Sequence, residues 1–157
     1  MATPDVGKQI VKVAVRQIGY GEVGANNEGK FIKAIGGTQG EEWCAAFAGW
    51  CGEQAHKELE LKLPCARSLG AKKMGKNIAG AGSKFMDPLL AKPGDFIVWH
   101  RGTLGWQGHI GVVEKVVDGL VHTIEGNVGK YPAKVKRLIH DVSKEKLAFF
   151  ATLRKLT

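Results

Sequence analysis

Along the first half of the chain, apolar side chains recur with a helical period. Ile10, Val11, Ala14, Val15 and Ile18 share one stripe, and Thr3-Pro4-Asp5 before them offers an N-cap with proline at the first helical position. The turn "GYGEVGANNEG" separates this helix from a shorter one carrying Phe31, Ile32 and Ile35, which Gly36 and Gly37 end. A third helix runs from about Trp43 to His56, and Pro64 starts a fourth through Met74. The stretch "GKNIAGAGSK" reads as a loop because of its glycines. From Pro93 the period shortens: "GDFIVWH", "GHIGVVEKVV", "LVHTIEGN", "KVKRLIH" and "LAFFATLR" are β-branched or aromatic runs between turn residues, and they read as antiparallel strands. Helices first and strands afterwards predict an α+β domain, with N-terminal helices packed on one face of a C-terminal antiparallel sheet of about five strands.

Neither repeats nor a Pro- or Ser-rich linker divides the 157 residues, so one domain over 1–157 is expected, as a monomer. Lys and Arg total 23 against 15 acidic residues, a net charge of +8 that attracts polyanions. Without zinc-finger spacing, a basic zipper or an aromatic RNA-reading motif, nucleic acid lacks a docking geometry. An anionic cell envelope remains, beside the plain alternative of solubilising lysines. The start "MATPDVGKQ" has no basic region followed by an apolar run, and no segment approaches the ~18 apolar residues of a membrane span. Synthesis in the cytoplasm without a signal peptide, and no stable membrane insertion, are therefore expected. Cys44 and Cys51 lie roughly 10 Å apart along their helix, beyond the ~7 Å reach of a disulfide.

The candidate chemistry begins in "EEWCAAFAGWC", which places Cys44 at the first turn of an apolar helix. There it meets unpaired backbone N–H groups and the positive end of the helix dipole, a setting that favours a thiolate. A thiol nucleophile needs a base, and the base needs an orienting partner. His56 is three turns down the same helix, His140 ends a lysine-rich strand, and His100 and His122 sit in strands; His109 is the best base, with Gly108 and Gly111 leaving room for a substrate backbone. Its partners would be Glu125 and Asn127, which strand alternation puts on one face with Thr123. A two-residue loop at Asp118-Gly119 would turn Glu125 away from His109. A three-residue loop, Val117-Asp118-Gly119, would set Asn127 opposite His109 and Glu125 opposite Gly111, and this is the loop expected. Cys51 and Cys65 read as structural, as do Trp43, Trp50 and Trp99, whereas Trp106 in "RGTLGWQG" is placed to line a substrate groove or simply to pack.

In their order, "EEWCAAFAGWC", "KPGDFIVW", "GHIGVVE" and "IEGN" resemble the CHAP family of cysteine, histidine-dependent amidohydrolases and peptidases, over about Ile18 to Asn127. The resemblance implies a papain-like fold, Cys44 as nucleophile, His109 as general base and then acid, Glu125 as the residue orienting His109, and Asn127 as an accessory polar group. The backbone N–H of Cys44 would hold the oxyanion, with Gln39 as a second donor. No dense set of Asp residues resembles the calcium loop of some members, so neither metal nor cofactor is expected. The implied substrate is bacterial peptidoglycan, cut at the muramoyl-alanine amide or at a stem or cross-bridge peptide bond. A phage endolysin acting in the periplasm or cell wall after release by a holin is the first expectation. An injected antibacterial effector, a cytoplasmic thiol protease on another amide, and an inactive wall-binding module are the alternatives.

Overall fold

The computed structural model describes residues 3–156. Four helices come first: α1 (Val6–Arg16), α2 (Lys30–Ala34), α3 (Cys44–Glu58) and α4 (Ala71–Ala81). Six strands follow: β1 (Ser83–Phe85), β2 (Phe96–His100), β3 (Gly108–Val117), β4 (Leu120–Val128), β5 (Lys134–His140) and β6 (Leu147–Thr152). They form one antiparallel sheet in the order β1-β6-β2-β3-β4-β5. This is the predicted α+β architecture, with the short edge strand β1 as the sixth strand.

The cap of α1 is Asp5, whose side chain accepts from the Lys8 N–H at 3.0 Å; Pro4 thus precedes the helix instead of opening it. The larger correction concerns α4. It covers Gly75 to Ala81, where glycine content predicted a loop, and begins at Ala71, well after Pro64. Met74 and Ile78 are buried one turn apart, and a Cβ on Gly75 would lie 2.6 Å from Val98 Cγ2 and 3.0 Å from the Phe149 ring. Close packing against the sheet overrides the modest helix penalty of glycine, about 1 kcal/mol.

Helix α3 is apolar nearly all round, as befits a helix enclosed on several sides. Ten of its fifteen residues are buried, among them the small run Ala45, Ala46, Ala48 and Gly49. Its core includes Phe96, Val98, Ile110, Val112 and Ile124 from the sheet. The alternate residues Ile97, Trp99, Val113, Val121 and Phe150 form a second cluster on the other face. The β5–β6 connection crosses that face, because β6 lies beyond β4, β3 and β2 from β5; it packs Val142 onto the second cluster, and Leu147 at the start of β6 joins it.

The β3–β4 hairpin differs from expectation in an informative way. Val117 pairs with Leu120, leaving a two-residue loop in which Asp118 (φ 52) and Gly119 (φ 77) are both left-handed. This is the geometry of a primed hairpin turn, favoured by Asp-Gly. The register then shifts between Val113 and Lys115, with Glu114 as the extra residue, so that Val113 pairs with Thr123 and Val112 with Ile124. A β-bulge therefore supplies the offset that the three-residue loop was predicted to supply.

Candidate active site

Cys44 is the first residue of α3, and Trp43 occupies the N-cap without any side-chain capping bond. A Ser, Thr, Asp or Asn there would engage the first free N–H groups; Trp43 leaves them available. The indole is fixed instead by buried Glu22, whose carboxylate accepts from Trp43 Nε1 at 3.0 Å, from the Asn27 N–H at 2.9 Å and from the Ala133 N–H at 2.7 Å. A Cβ on Gly126 would meet Trp43 at 2.6 Å and Phe47 at 3.0 Å, so this glycine lets β4 approach the start of α3 closely.

His109 is the second residue of β3, opposite Trp99 on β2, and their rings stack at 5.5 Å. Its Nε2 donates to Glu125 Oε1 at 2.7 Å. Its other nitrogen, Nδ1, is left free by Glu125, and the Cys44 side chain lines the same groove as His109. Gly111 leaves room for Glu125 and not for a substrate backbone, since a Cβ there would lie 2.7 Å from Glu125 Cγ. Gly108 is likewise crowded, by the Trp99 carbonyl and Lys72.

Burial opposes the charge on His109, but hydrogen bonds with Cys44 and Glu125 outweigh it and raise the pKa to about 9. Burial likewise pushes Glu125 upward, and hydrogen bonds from His109 and His140 overcome it, leaving the carboxyl at about 2. The site thus favours an imidazolium beside a carboxylate.

Cys44, His109, Asn127 and Trp106 line one groove of about 580 Å³, with Leu69 and Arg101. Asn127 has a left-handed backbone (φ 61) at a break in the β4–β5 register; Glu125, not Asn127, contacts the imidazole. Trp106 is 72% exposed, on a loop tied down where Lys72 Nζ donates to the Gly105 carbonyl at 2.6 Å. Gln39 does not join the groove. Its amide closes on Gly29, accepting from the N–H at 2.9 Å and donating to the carbonyl at 3.1 Å, which removes it as an oxyanion donor. Cys51 is fully buried, and burial pushes its thiol pKa strongly up. His56 is satisfied in the core, its Nδ1 donating to the Gly52 carbonyl at 2.6 Å.

His140 is the residue that sequence reasoning passed over. Its Nε2 lies 2.6 Å from Glu125 Oε2 and its Nδ1 2.7 Å from Glu145 Oε2. Trp99 packs beside it at 4.7 Å and donates from Nε1 to Glu145 Oε1 at 2.9 Å. Thr123 Oγ1 completes the set by donating to Glu125 Oε2. Among the described residues, no group of three or more His, Cys, Asp or Glu side chains is arranged to hold a metal ion.

Among solved structures, the chain is similar to NlpC2 from Trichomonas vaginalis, with a TM-score of 0.57 at 16% identity, covering 98% of this chain and 48% of that one. It is similar to Ly7917 as well, with a TM-score of 0.57 at 16% identity over 93% of this chain and 62% of that one. Ly7917 with the hydrolyzing product of MDP gives a TM-score of 0.54 at the same 16% identity and the same 93% and 62% coverage. The chain thus spans less than two thirds of each of these proteins, and at such identities the likeness concerns the fold, which is papain-like. No curated protein matches the sequence. The CHAP domain matches residues 36–127, more than half of the 157 and a span that runs from before Cys44 to Asn127, and on that match the chain belongs to the CHAP family.

Proposed function

We infer that the protein hydrolyses an amide bond of peptidoglycan, with Cys44 as nucleophile. The observation that carries this reading is that Cys44 and His109 line one open groove, with Glu125 hydrogen-bonded behind His109. His109 takes the thiol proton, and the sulfur attacks the carbonyl carbon. The oxyanion forms beside the Cys44 backbone N–H, which the uncapped start of α3 leaves free. The His109 imidazolium then protonates the leaving amine. Water, deprotonated by His109, cleaves the thioester and regenerates the thiol. Glu125 stabilises the imidazolium and sets its tautomer throughout. Membership of the CHAP family supports the substrate class, as does a neighbour solved with a product of MDP.

The exposed Trp106 face and the Arg101 guanidinium suit the mixed apolar and carboxylate surface of a muropeptide. The +8 charge favours adsorption to an anionic envelope. Release through a phage holin is the delivery route this reading adopts, and gene neighbourhood tests it: an adjacent immunity gene would point to an injected effector instead. The direct experiment is mass spectrometry of muropeptides after digestion of purified sacculi. New free muramic ends mean an amidase, and new stem termini mean an endopeptidase. Cys44→Ala and His109→Ala should each abolish release, and folded variants that retain near-wild-type hydrolysis would overturn the assignment.

A further inference from the structure

The end of β5 lays a second imidazole against the far side of Glu125, and the crossover that follows brings Glu145 onto it. We propose that His140 is a positioning residue for the Cys44 reaction, holding Glu125 from the side opposite His109 as a doubly protonated imidazolium anchored on Glu145. This rests on the amide-hydrolase reading of the groove and adds a residue to it.

The protonation state follows from geometry. Both ring nitrogens of His140 face carboxylate oxygens, Glu125 Oε2 at 2.6 Å and Glu145 Oε2 at 2.7 Å. A neutral imidazole has one N–H and would turn a lone pair toward one of those oxygens; only the imidazolium satisfies both. The carboxylate of Glu125 is thereby divided. Oε1 serves His109, while Oε2 takes His140 together with the Thr123 hydroxyl. Glu125 is 1% exposed, so no water shell replaces a lost donor. With His140 removed, Oε2 keeps only Thr123, the carboxylate protonates more readily, and the constraint on its χ angles loosens. The indole of Trp99 lies beside both imidazoles and ties off Glu145, so the whole row packs as one unit.

Other groups also bear on His140. His109 lies beyond Glu125, and His100, Arg101, Lys144 and Lys146 line the cavity of about 370 Å³ beside His140. Burial opposes the charge of His140, yet the two carboxylates raise its pKa above the ordinary histidine value. His140 does not line the groove that holds Cys44, which separates its effect from substrate binding.

The test compares His140→Gln, which can donate to one carboxylate only, with His140→Phe, which keeps the ring packed on Trp99 and donates nothing. Two readouts are taken on the folded fraction. One is kcat and KM on sacculi or a soluble muropeptide. The other is the pH profile of Cys44 alkylation by iodoacetamide, located by peptide mass mapping so that Cys65 does not interfere. For His140→Phe we expect kcat to fall by about tenfold to a hundredfold, the scale on which outer contacts act through a histidine they orient, with KM unchanged. The acid limb of alkylation should move to higher pH, and His140→Gln should fall between. Wild-type kcat and an unmoved alkylation profile in both variants would overturn the proposal, as would a loss of stability alone. Should the wild type alkylate with the expected profile yet leave peptidoglycan intact, the substrate reading fails and the alkylation comparison still decides the role of His140.

Discussion

Glu125 is the buried carboxylate hydrogen-bonded to the His109 imidazole. Glu125→Gln keeps an acceptor for His109 but loses the charge that stabilises its imidazolium, so activity should fall substantially without vanishing. Glu125→Ala should fall further because ring orientation is lost as well. Kinetics on the two variants in parallel check this, and equal activities would mean that charge at this position is irrelevant. Cys51 is the control: fully buried in α3, it contributes packing, so Cys51→Ala should lower stability by about 1–2 kcal/mol in a denaturant titration while folded protein keeps its activity. That Cys44 starts a helix and that Glu125 shares a face with Thr123 are local rules legible in the sequence, whereas the facing of Glu125 and His109 rests on the bulge at Glu114. The place of His140 was not legible, because its two partners come from the neighbouring strand β4 and from the β5–β6 crossover. Gln39 misled because helix-proximal position says nothing about which backbone an amide will close on.

At the scale of elements, the bulge at Glu114 and the tight packing of α4 carry the main lessons. Deleting Glu114 should remove the extra residue and leave Val113 opposite Thr123 and Lys115 opposite His122, so Glu125 stays beside His109 and activity persists. Had the hairpin used a three-residue loop without a bulge, the same deletion would slip the register by one and turn Glu125 to the opposite face. Hydrolysis by the deletion variant distinguishes the two. In α4, Gly75→Ala should gain helix propensity of about 1 kcal/mol. Overpacking against Val98 and Phe149 should cost about 1–3 kcal/mol, so the net effect expected is a lower Tm. A raised Tm would show that the helix can shift outward at little cost.

For the whole molecule, the buried pair makes stability depend on pH from both sides. His109 has its folded pKa raised to about 9 from 6.5, so its contribution is complete below pH 6.5 and is lost as pH rises through about 9. Glu125 is lowered to about 2 from 4.5, so its contribution is complete above pH 4.5 and is lost as pH falls through about 2. Thermal melts should place the plateau from this pair between pH 4.5 and 6.5, and a Glu125→Gln, His109→Gln double variant should flatten both flanks. The +8 surface acts at longer range. Binding to intact sacculi should weaken as the Debye length drops from ~10 Å to ~3 Å with added salt, while cleavage of a short soluble substrate changes far less. Equal salt dependence would leave the lysines as solubilising groups.

What the sequence by itself determined is whatever repeats within a few residues. The stripe of α1, the apolar run of α3 with cysteine at its start, the five longer strands and the shared face of Thr123 and Glu125 all follow from periods of 3.6 and 2. Tertiary structure decided the rest, wherever a choice depends on what lies across the gap. Glycines in α4 are helical because Val98 and Phe149 need the space, and Gly111 is small because Glu125 fills it. The offset of β3 against β4 comes from a bulge because an Asp-Gly pair already closes the turn in two residues. Glu145 reaches Trp99 and His140 because the chain must cross the outer face of the sheet to place β6 beside β2, and the contact of Glu145 with Trp99 joins residues far apart in sequence that no local pattern encodes.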